Sequence, residues 1–389
     1  MSGIRKIVKE NAALKKHMYR LQRWYYWLAQ LPFCLLKVNC GQVLFNNFQG
    51  KGFAGNPRAV AEELHRQAPS YKILWITEEK ADASLPDYVS PVRIDTPAYF
   101  KALTTSGTWV FNIPPARGIK KRHNQVFIQT FHGDRPLKKV HYQNVGKEET
   151  DRKYAVHDEI CDYGVVGSRA GEQLFREGLG YSGPLIEEGC PRNDCLVNPD
   201  QQRIGRIRES LGIAPDERIL LYAPTFRYGR SELACGLDFD KVLDALEKKT
   251  LKPWRCLYRA HLHTKKITLG NSGSSRFMDV SGYTDMADLL LVADMLITDY
   301  SSSAGDFCLT EHPSVLYLDP DDPYNRSLVF DPFASPHWIA CNQEEMIERI
   351  EKMTPDAIRE NNKSLREFYG IHESGHAARA VVSHILRRR

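Results

Sequence analysis

The chain has 389 residues, of which 42% are hydrophobic and 26% charged, and this is the composition of a globular protein long enough for two α/β domains. Its formal net charge is +5, but residues 1–30 alone carry +6, which leaves the other 359 residues at −1. This balance excludes a body that binds nucleic acid through a general basic surface.

Nine cysteines are scattered without a repeated spacing, so neither a disulfide framework nor a zinc site is expected. Reduced thiols in a cytoplasmic protein fit this pattern. No run of 18 apolar residues occurs and no apolar signal core stands near the N-terminus, so we expect neither a transmembrane helix nor a secretory signal.

The first predicted element is a helix over residues 4–28, where apolar residues recur at spacings of three and four and the other faces are basic. Its C-terminal end contains the aromatic run 24–27, and the short apolar run 31–36 follows it. Basic residues beside Trp and Tyr are typical of a helix lying on an anionic membrane, so residues 1–38 are interpreted as an amphipathic membrane-surface region. Docking of the helix on its own domain or on a partner is the alternative.

From residue 41 onward, short apolar strands alternate with helical patterns. The expected strands of the first half are 43–45, 72–76, 92–94, 109–111, 126–129, 163–166 and 185–187. The helices expected among them are 57–67, 97–104, 152–161 and 169–177. Such alternation predicts a parallel sheet covered by helices.

A second alternating set follows the polar stretch 198–208. Its expected strands are 219–222, 255–258, 295–297 and 314–317, and its expected helices are 239–248, 285–293, 303–310 and 343–353. We therefore predict an α/β protein of two facing Rossmann-like domains, 39–200 and 201–389, whose last helix, about 374–387, could pack back on the first domain. Ligands of such folds bind in the cleft at the carboxyl ends of the strands.

Polar clusters follow several of these strands. His132 and Gly133 come after the strand 126–129, with Arg135, Lys138 and Lys139 just behind them. A histidine beside basic residues fits a general base next to a phosphate, whereas a structural histidine is the simpler alternative.

Two further clusters carry arginines. Arg192, Asn193 and Asp194 form a turn sequence that could close the domain interface. Pro224 and Thr225 precede Arg227, in a pattern that suits a phosphate contact or, more simply, a surface arginine.

Strand alternation places Arg259, His261 and His263 on one face, and metal binding by the two histidines is the weaker of their interpretations. Near the end of the sheet, Asp299 is followed by three serines, 301–303, and by Asp306 at a predicted helix start. Free N–H groups and hydroxyls there could bind an anion, or the serines could simply be helix caps.

Asp319 and Asp321 form an Asp-x-Asp pattern, which can hold a divalent ion beside a diphosphate but is more simply an acidic turn. No cofactor is therefore assigned and no residue is designated as a metal ligand, although a divalent cation stays open.

Seven motifs occur in one order along the chain. They are Phe-Gln-Gly-Lys-Gly-Phe-Ala-Gly-Asn-Pro at 48–57, Phe-His-Gly at 131–133 with two lysines at 138–139, Gly-Cys-Pro-Arg-Asn-Asp at 189–194, Leu-Tyr-Ala-Pro-Thr-Phe-Arg at 221–227, Arg-Ala-His at 259–261, Asp-Val-Ser-Gly-Tyr-Thr-Asp at 279–285 and Ala-Asp-Met-Leu-Ile-Thr-Asp-Tyr-Ser-Ser at 293–302. Over residues 41–370 the sequence thereby resembles the CDP-glycerol glycerophosphotransferase family of teichoic-acid and capsule synthesis.

The resemblance implies a GT-B-like fold whose C-terminal domain holds the nucleotide. It also implies that an acceptor hydroxyl attacks the β-phosphorus of a CDP-polyol, CDP-glycerol first of all, and that CMP leaves. His132 would be the base, and His261 would assist at the phosphate or leaving group. The residues then expected to bind substrate are Gly133, Arg135, Lys138, Arg192, Asn193, Asp194, Pro224, Thr225, Arg227, Arg259, Asp299, Ser301, Ser302, Ser303 and Asp306.

The expected partners are a lipid-linked saccharide or polyol-phosphate acceptor and the anionic inner face of the cell membrane, with a homo-oligomer open and no nucleic acid. Three positions depart from the family pattern: Phe131 stands for tryptophan, Leu262 for proline and Ser327 for glycine. These departures concern the acceptor and the polyol. The short chain favours a primase-like or single-addition enzyme without excluding a polymerase.

Two other functions compete with this one. A GT-B glycosyltransferase would move a sugar from a nucleotide-sugar, and an inactive nucleotide-binding scaffold would serve a membrane assembly complex. The presence of both His132 and His261 argues against the scaffold.

Overall fold

Two parallel β-sheets form the framework of the computed structural model, which describes residues 12–78, 85–147, 150, 156–225, 236–260 and 275–387. The first sheet contains β1 (Asn39–Asn46), β2 (Lys72–Thr77), β3 (Val89–Arg93), β4 (Ser106–Phe111), β5 (Val126–Gln129), β6 (Tyr163–Val165) and β7 (Leu185–Ile186). The second contains β8 (Arg218–Ala223), β9 (Trp254–Tyr258), β10 (Phe277–Asp279), β11 (Met295–Thr298), β12 (Ser314–Tyr317) and β13 (Trp338–Ala340). Their orders are β3-β2-β1-β4-β5-β6-β7 and β10-β9-β8-β11-β12-β13, so each sheet is doubly wound.

The connections between strands are mostly helical. The helices of the described residues are α1 (Ala12–Gln30), α2 (Gly55–Gln67), α3 (Pro97–Thr105), α4 (Tyr142–Val145), α5 (His157–Ile160), α6 (Arg169–Gln173), α7 (Asp194–Val197), α8 (Gln201–Ser210), α9 (Phe239–Thr250), α10 (Met286–Val292), α11 (Ser303–Phe307), α12 (Gln343–Lys352), α13 (Pro355–Tyr369) and α14 (Ala377–Leu386). Short 3-10 turns lie at Leu31–Phe33, Pro191–Asn193, Pro323–Ser327 and Pro332–Ala334, and a π-turn at Leu174–Gly178 extends α6.

The first sheet is buried on both faces, which explains the continuous apolar runs of its central strands. On one face, Val60 and Leu64 of α2 share a core with Val381 and Ile385 of α14. The last helix therefore lies with the first sheet, although the second sheet precedes it in the chain.

The second sheet has its own core. Val242 of α9 and Met346 of α12 pack on one face, and Leu289 of α10 packs on the other. Each sheet with its two helix layers thus buries apolar surface independently, as expected for two α/β domains.

Helix α1 contacts the first domain along one side and exposes another apolar side. Tyr26 is buried with its ring 6.0 Å from that of Phe100, and Gln30 Nε2 donates to the backbone oxygen of Tyr26. The exposed apolar side chains are Leu14, Met18, Leu21, Trp24, Tyr25, Trp27 and Leu28. The helix is therefore docked on its own domain while a long apolar stripe stays uncovered. None of the helices in the described ranges combines the length and apolarity needed to cross a bilayer.

Most of the predicted elements appear, and the prediction of an α/β fold with two parallel sheets is confirmed. Strands β10 and β13, two partly buried edge strands, were not predicted, whereas the even shorter edge strand β7 was. The predicted helix 303–310 ends at Phe307, and the predicted helix 152–161 is seen only from His157, since residues 151–155 lie outside the described ranges.

Candidate active site

A cleft of about 710 Å³ lies between the carboxyl edges of the two sheets. Its first wall comes from the loops after β1, β4 and β5, and its second wall from the loops after β8, β9 and β11. Phe48, Asn112 and His132 line the first wall, and Thr225, Arg259 and Ser301–Ser303 line the second. This is where doubly wound sheets bind their ligands.

His132 is held in one tautomer. Its Nδ1 lies 3.1 Å from the backbone oxygen of Asn112, and a carbonyl oxygen can only accept, so Nδ1 carries the proton. In the neutral ring the lone pair is then on Nε2. The rings of Phe131 and Phe48 lie 4.1 and 4.9 Å away, which restricts the imidazole plane.

The loops around this histidine have strained backbone. Phe131 has φ 48° and Phe48 has φ 44°, in the left-handed region that non-glycine residues enter at a cost of roughly 1–2 kcal/mol each. Asn56 holds the first of them, because its Nδ2 donates to the oxygens of Thr130 and Phe131 at 2.9 and 3.1 Å. Non-glycine strain of this kind concentrates at functional sites.

Gly133 lets the two walls approach. A Cβ at this position would lie 2.8 Å from Ser302 Oγ, which is closer than real Cβ contacts come. The predicted substrate-binding Gly133 and Ser302 are thus brought together across the domain interface.

The serine cluster binds partly to itself. Ser301 Oγ accepts from the N–H of Ser303 at 3.2 Å and from its hydroxyl at 2.8 Å. Helix α11 has only five residues, so its dipole is small and the anion-binding argument based on a helix start is weaker than the sequence indicated.

Arg259 and Thr225 hold unused hydrogen-bonding capacity on the second wall. Arg259 donates through Nη2 to the oxygens of Tyr283 and Thr284 at 3.3 and 3.2 Å, and within the part of the chain that the structure describes no carboxylate forms a salt bridge with it. Burial lowers the pKa of Arg259, against the opposing effect of Asp285. Thr225 Oγ1 is buried without a partner among the described residues. Such donors suit an anion.

Asp299 supports this wall from behind. It is buried, and its Oδ1 accepts from the N–H groups of Thr225 and Tyr300 at 2.8 and 2.7 Å. The carboxylate thereby fixes the loop after β8 to the loop after β11, and it does not line the cleft. Pro224 does line the cleft beside Thr225.

Arg135 lies outside the cleft, in a buried ion network. Its side chain has no exposed surface, and it donates to Asp306 Oδ1 at 2.6 Å and to Glu373. Asn193 Nδ2 joins the same two carboxylates at 3.0 and 2.9 Å. The substrate-binding role expected of Arg135 and Asn193 is thus replaced by a structural one at the domain interface.

Arg192 connects this network to the cleft. It donates to the backbone oxygen of His132 and to Asp306 Oδ2, each at 2.5 Å, and it lines the cleft together with Asp306. Burial alone would raise the pKa of Asp306, but the guanidinium groups of Arg192 and Arg135 outweigh it and lower that pKa. The pair therefore stays ionised behind the histidine.

Two other predicted site residues also lie elsewhere. Asp194 caps α14, because its carboxylate accepts from the N–H groups of Ala377 and Ala378 at 2.9 and 2.8 Å. The Lys138 ammonium lies 5.4 Å from the centre of the Tyr324 ring, in the second domain. Both residues join segments of the fold and do not line the cleft.

Arg227, His261 and His263 lie outside the described residues, so their predicted roles stay predictions. Asp319 and Asp321 form a turn in which Asp319 Oδ1 accepts from the N–H of Asp321 at 3.0 Å, away from the cleft lining. This geometry agrees with the acidic-turn interpretation.

Sequence reasoning did not identify Asn47, Asn112 or Glu373. Asn47 and Asn112 each follow a strand directly, which was a usable signal, because polar residues at the carboxyl ends of parallel strands converge. Glu373 offered no such signal, since it reaches Arg135 from 238 positions away in the chain.

Two facing parallel sheets with a cleft at their carboxyl edges define the GT-B-like class of two-domain proteins. The family described as CDP-Glycerol:Poly(glycerophosphate) glycerophosphotransferase matches residues 28–387, and the chain belongs to this family. The prediction drawn from the seven motifs is therefore confirmed.

Curated relatives agree with this family, and a solved structure agrees with the fold. The chain is 29% identical over 370 residues to a teichoic acid poly(glycerol phosphate) polymerase of Bacillus spizizenii, covering 90% of this chain and 93% of that protein. It is also 29% identical over 301 residues to the polymerase of Staphylococcus epidermidis, but these are 74% of this chain and only 41% of that longer protein. The structure of the wall teichoic acid polymerase TagF superposes with a TM-score of 0.79 at 23% identity, over 96% of this chain and 98% of that one.

Proposed function

We propose that the protein transfers glycerol phosphate from CDP-glycerol to a hydroxyl group of a teichoic-acid-type acceptor and releases CMP. The observation that carries this proposal is the pairing across one cleft of His132, whose Nδ1–H is fixed on a carbonyl, with Arg259, a guanidinium without a salt bridge to any described carboxylate. A base on one wall and an anion site on the other are what phosphoryl transfer to a hydroxyl requires.

The reaction follows from this arrangement. His132 Nε2 takes the proton of the acceptor hydroxyl while its oxygen forms a bond to the β-phosphorus of CDP-glycerol. The bond between that phosphorus and the bridging oxygen breaks, and CMP leaves with the electron pair. Arg259, Thr225 and the serine hydroxyls would donate hydrogen bonds to the negatively charged diphosphate oxygens. Such hydrogen bonds stabilise charge more strongly in a partly buried site than in water.

The experiment that tests this proposal is CMP release by the purified protein from CDP-glycerol and CDP-ribitol, with a lipid-linked disaccharide or its glycerophosphate-primed form as acceptor. We expect release from CDP-glycerol and a loss of about 10²–10⁴-fold in kcat for His132→Ala, the usual contribution of a general base. His384→Ala is the matched control, because His384 also places Nδ1 against a backbone carbonyl, that of Ala380 at 3.0 Å, but lies on α14.

Unchanged CMP release by His132→Ala would contradict the assignment of the base. Release only from a nucleotide-sugar would favour a glycosyltransferase, and binding of CDP without release from any donor would favour a scaffold. The length of the product separates one addition from polymerisation, and a chelator titration tests whether a divalent cation takes part.

We also propose that α1 holds the protein on the anionic inner face of the cell membrane, close to a lipid-linked acceptor. Its uncovered apolar stripe carries basic neighbours, Lys16, Arg20 and Arg23, all of them exposed. Apolar burial and attraction to anionic lipid then act together.

Sedimentation with anionic phospholipid vesicles tests this role. We expect the double variant Leu21→Ser/Trp24→Ser to bind at least about tenfold more weakly, since two apolar side chains lose their burial in the bilayer surface. Leu251→Ser/Phe333→Ser is the control, because both of its residues are exposed apolar side chains away from α1. Equal binding by both double variants would contradict the proposal.

A further inference from the structure

Asn112 contacts the catalytic histidine and the loop beside it at the same time. It is 1% exposed and follows β4 directly. Its backbone oxygen accepts from His132 Nδ1, its Oδ1 accepts from the N–H of Phe48 at 2.9 Å, and its Nδ2 donates to Asn47 Oδ1 at 2.6 Å.

The bond to Phe48 matters because that residue has strained backbone and touches the histidine. Phe48 has φ 44°, and its ring lies 4.9 Å from the imidazole at an interplanar angle of 55°. Gln49 follows with φ 61°, so two successive residues of this loop are left-handed. The hydrogen bond from the N–H of Phe48 to Asn112 Oδ1 therefore helps to hold an unfavourable backbone conformation in place.

The loop also depends on the second amide bond of Asn112. Asn47, which accepts from Asn112 Nδ2, uses its own Nδ2 to donate to the oxygens of Lys51 and Gly52 at 2.8 and 3.2 Å. Asn112 thus reaches both the start and, through Asn47, the end of the segment 47–52.

We propose that Asn112 is a positioning residue for His132, acting through its carbonyl on the tautomer and through its side-chain amide on the ring plane. The carbonyl fixes the proton on Nδ1 and so leaves Nε2 for the acceptor hydroxyl. The amide holds the 47–52 loop so that Phe48 packs against the imidazole. This inference rests on the proposed function, in which His132 is the base.

Asparagine suits this position for a chemical reason. The side chain must accept from one group and donate to another from the same short stem, which an amide does and a carboxylate cannot. In the variant Asn112→Asp, the carboxylate would still accept from the N–H of Phe48 but would place a second oxygen against Asn47 Oδ1. The proposal therefore predicts that Asn112→Ala, which removes both the acceptor and the donor, and Asn112→Asp, which removes the donor alone, both lower activity.

The experiment combines kinetics with NMR of the histidine side chains, in which the ¹⁵N shifts of Nδ1 and Nε2 report the tautomer and the ring-proton shifts report the packing of Phe48 on the imidazole. Asn112→Ala keeps the backbone carbonyl, so we expect the Nδ1–H tautomer of His132 to persist while its ring-proton shifts change, and kcat for CMP release to fall about ten- to hundredfold, as for a misplaced catalytic group. An Nε2–H tautomer in the unsubstituted protein would overturn the part of the proposal that acts through the carbonyl. KM for CDP-glycerol should change less than about threefold, because the donor binds on the opposite wall.

Asn362→Ala is the matched control. Asn362 is also buried, at 4% exposure, and its Nδ2 donates to two backbone oxygens, those of Thr310 and His312, away from the cleft. It should lose comparable stability yet keep kcat and the ring-proton shifts of His132. A purely structural role for Asn112 would make the two variants behave alike, and this result would overturn the proposal.

Phe48→Leu tests the role of the ring contact with His132 without substituting a buried polar residue. Phe48 is 36% exposed, so the variant should fold normally while losing the ring contact. We expect a lower kcat with KM and stability retained, and unchanged kcat would overturn the part of the proposal that acts through the ring. The NMR readout needs no substrate, so it separates failure of this inference from failure of the proposed reaction.

Discussion

The two walls of the cleft use their polar groups in opposite ways. On the first wall, hydrogen bonds within the protein hold the histidine: Asn112 binds His132, and Asn56 binds the backbone before it. On the second wall, Arg259 and Thr225 keep donors that no described side chain uses. The orientation of His132 is therefore fixed before substrate binds, whereas the donors of Arg259 and Thr225 stay available for the ligand. Groups held in place in advance need no reorganisation during the reaction.

Arg135 and Arg259 show the same contrast, although the sequence predicted the same role for both. Arg135 and Arg259 each follow a strand, and both were expected to bind substrate. Arg135 is fully buried among carboxylates, whereas Arg259 faces the cleft. Arg135 should therefore contribute to stability, and Arg259 should contribute to substrate binding.

The largest expected effect comes from Arg135→Met. Removing the cation leaves Asp306 and Glu373 buried with less compensation, so the free energy of unfolding should fall by about 3–5 kcal/mol. Denaturant unfolding measures it. Arg218→Ala is the control, because the Arg218 side chain is half-exposed and its pair with Asp294 should contribute less than about 1 kcal/mol. Equal stability of both variants would break the contrast between the arginines.

Arg259→Ala should do the reverse. The variant loses charge-assisted donors to the diphosphate, so transition-state stabilisation should fall by about 1.5–3 kcal/mol. This loss corresponds to a roughly ten- to 150-fold lower kcat/KM for CDP-glycerol. The unfolding free energy should stay nearly constant, since no described carboxylate depends on this guanidinium. A stability loss as large as that of Arg135→Met, with kcat/KM retained, would assign Arg259 to the framework.

The smallest effect concerns pH and the support of the first wall. His157 is buried against Gln129, whose Oε1 accepts from the N–H of Phe131. Burial, and then the charge of His141, lower the pKa of His157 to about 3. In the unfolded chain a histidine titrates near 6.5, so the stability held by neutral His157 is complete above that pH and is lost as the pH falls from about 6.5 towards 3.

At pH 5 this loss should be about 2 kcal/mol relative to pH 7.5. Urea unfolding at the two pH values should show a smaller difference for His157→Gln, which keeps an acceptor but does not titrate. His337→Gln offers a comparison, because burial lowers the pKa of His337 to about 4 in the second domain. An unchanged pH dependence in His157→Gln would show that the first wall does not rest on a neutral histidine.

Local pattern was enough to predict the strands that are buried on both faces, since continuous apolar runs such as 43–45 have few other uses in an α/β protein. It failed for β10 and β13, whose residues are mostly only half-buried, although it succeeded for the even shorter edge strand β7. In the site, strand ends indicated which loops converge. They could not indicate which way an arginine turns, because Glu373, which engages Arg135, follows the whole second sheet in the chain.

The position of α14 sets the order in which this protein can be completed during synthesis. Val381, Val382 and Ile385 fill the core that covers β1 and α2, so the first domain lacks part of its interior until the ribosome has made the second. At about 5–20 residues per second, that interval is on the order of ten to forty seconds. Throughout it, the part of α2 that packs against α14 stays uncovered, and a chaperone that shields nascent chains would find its binding surface there.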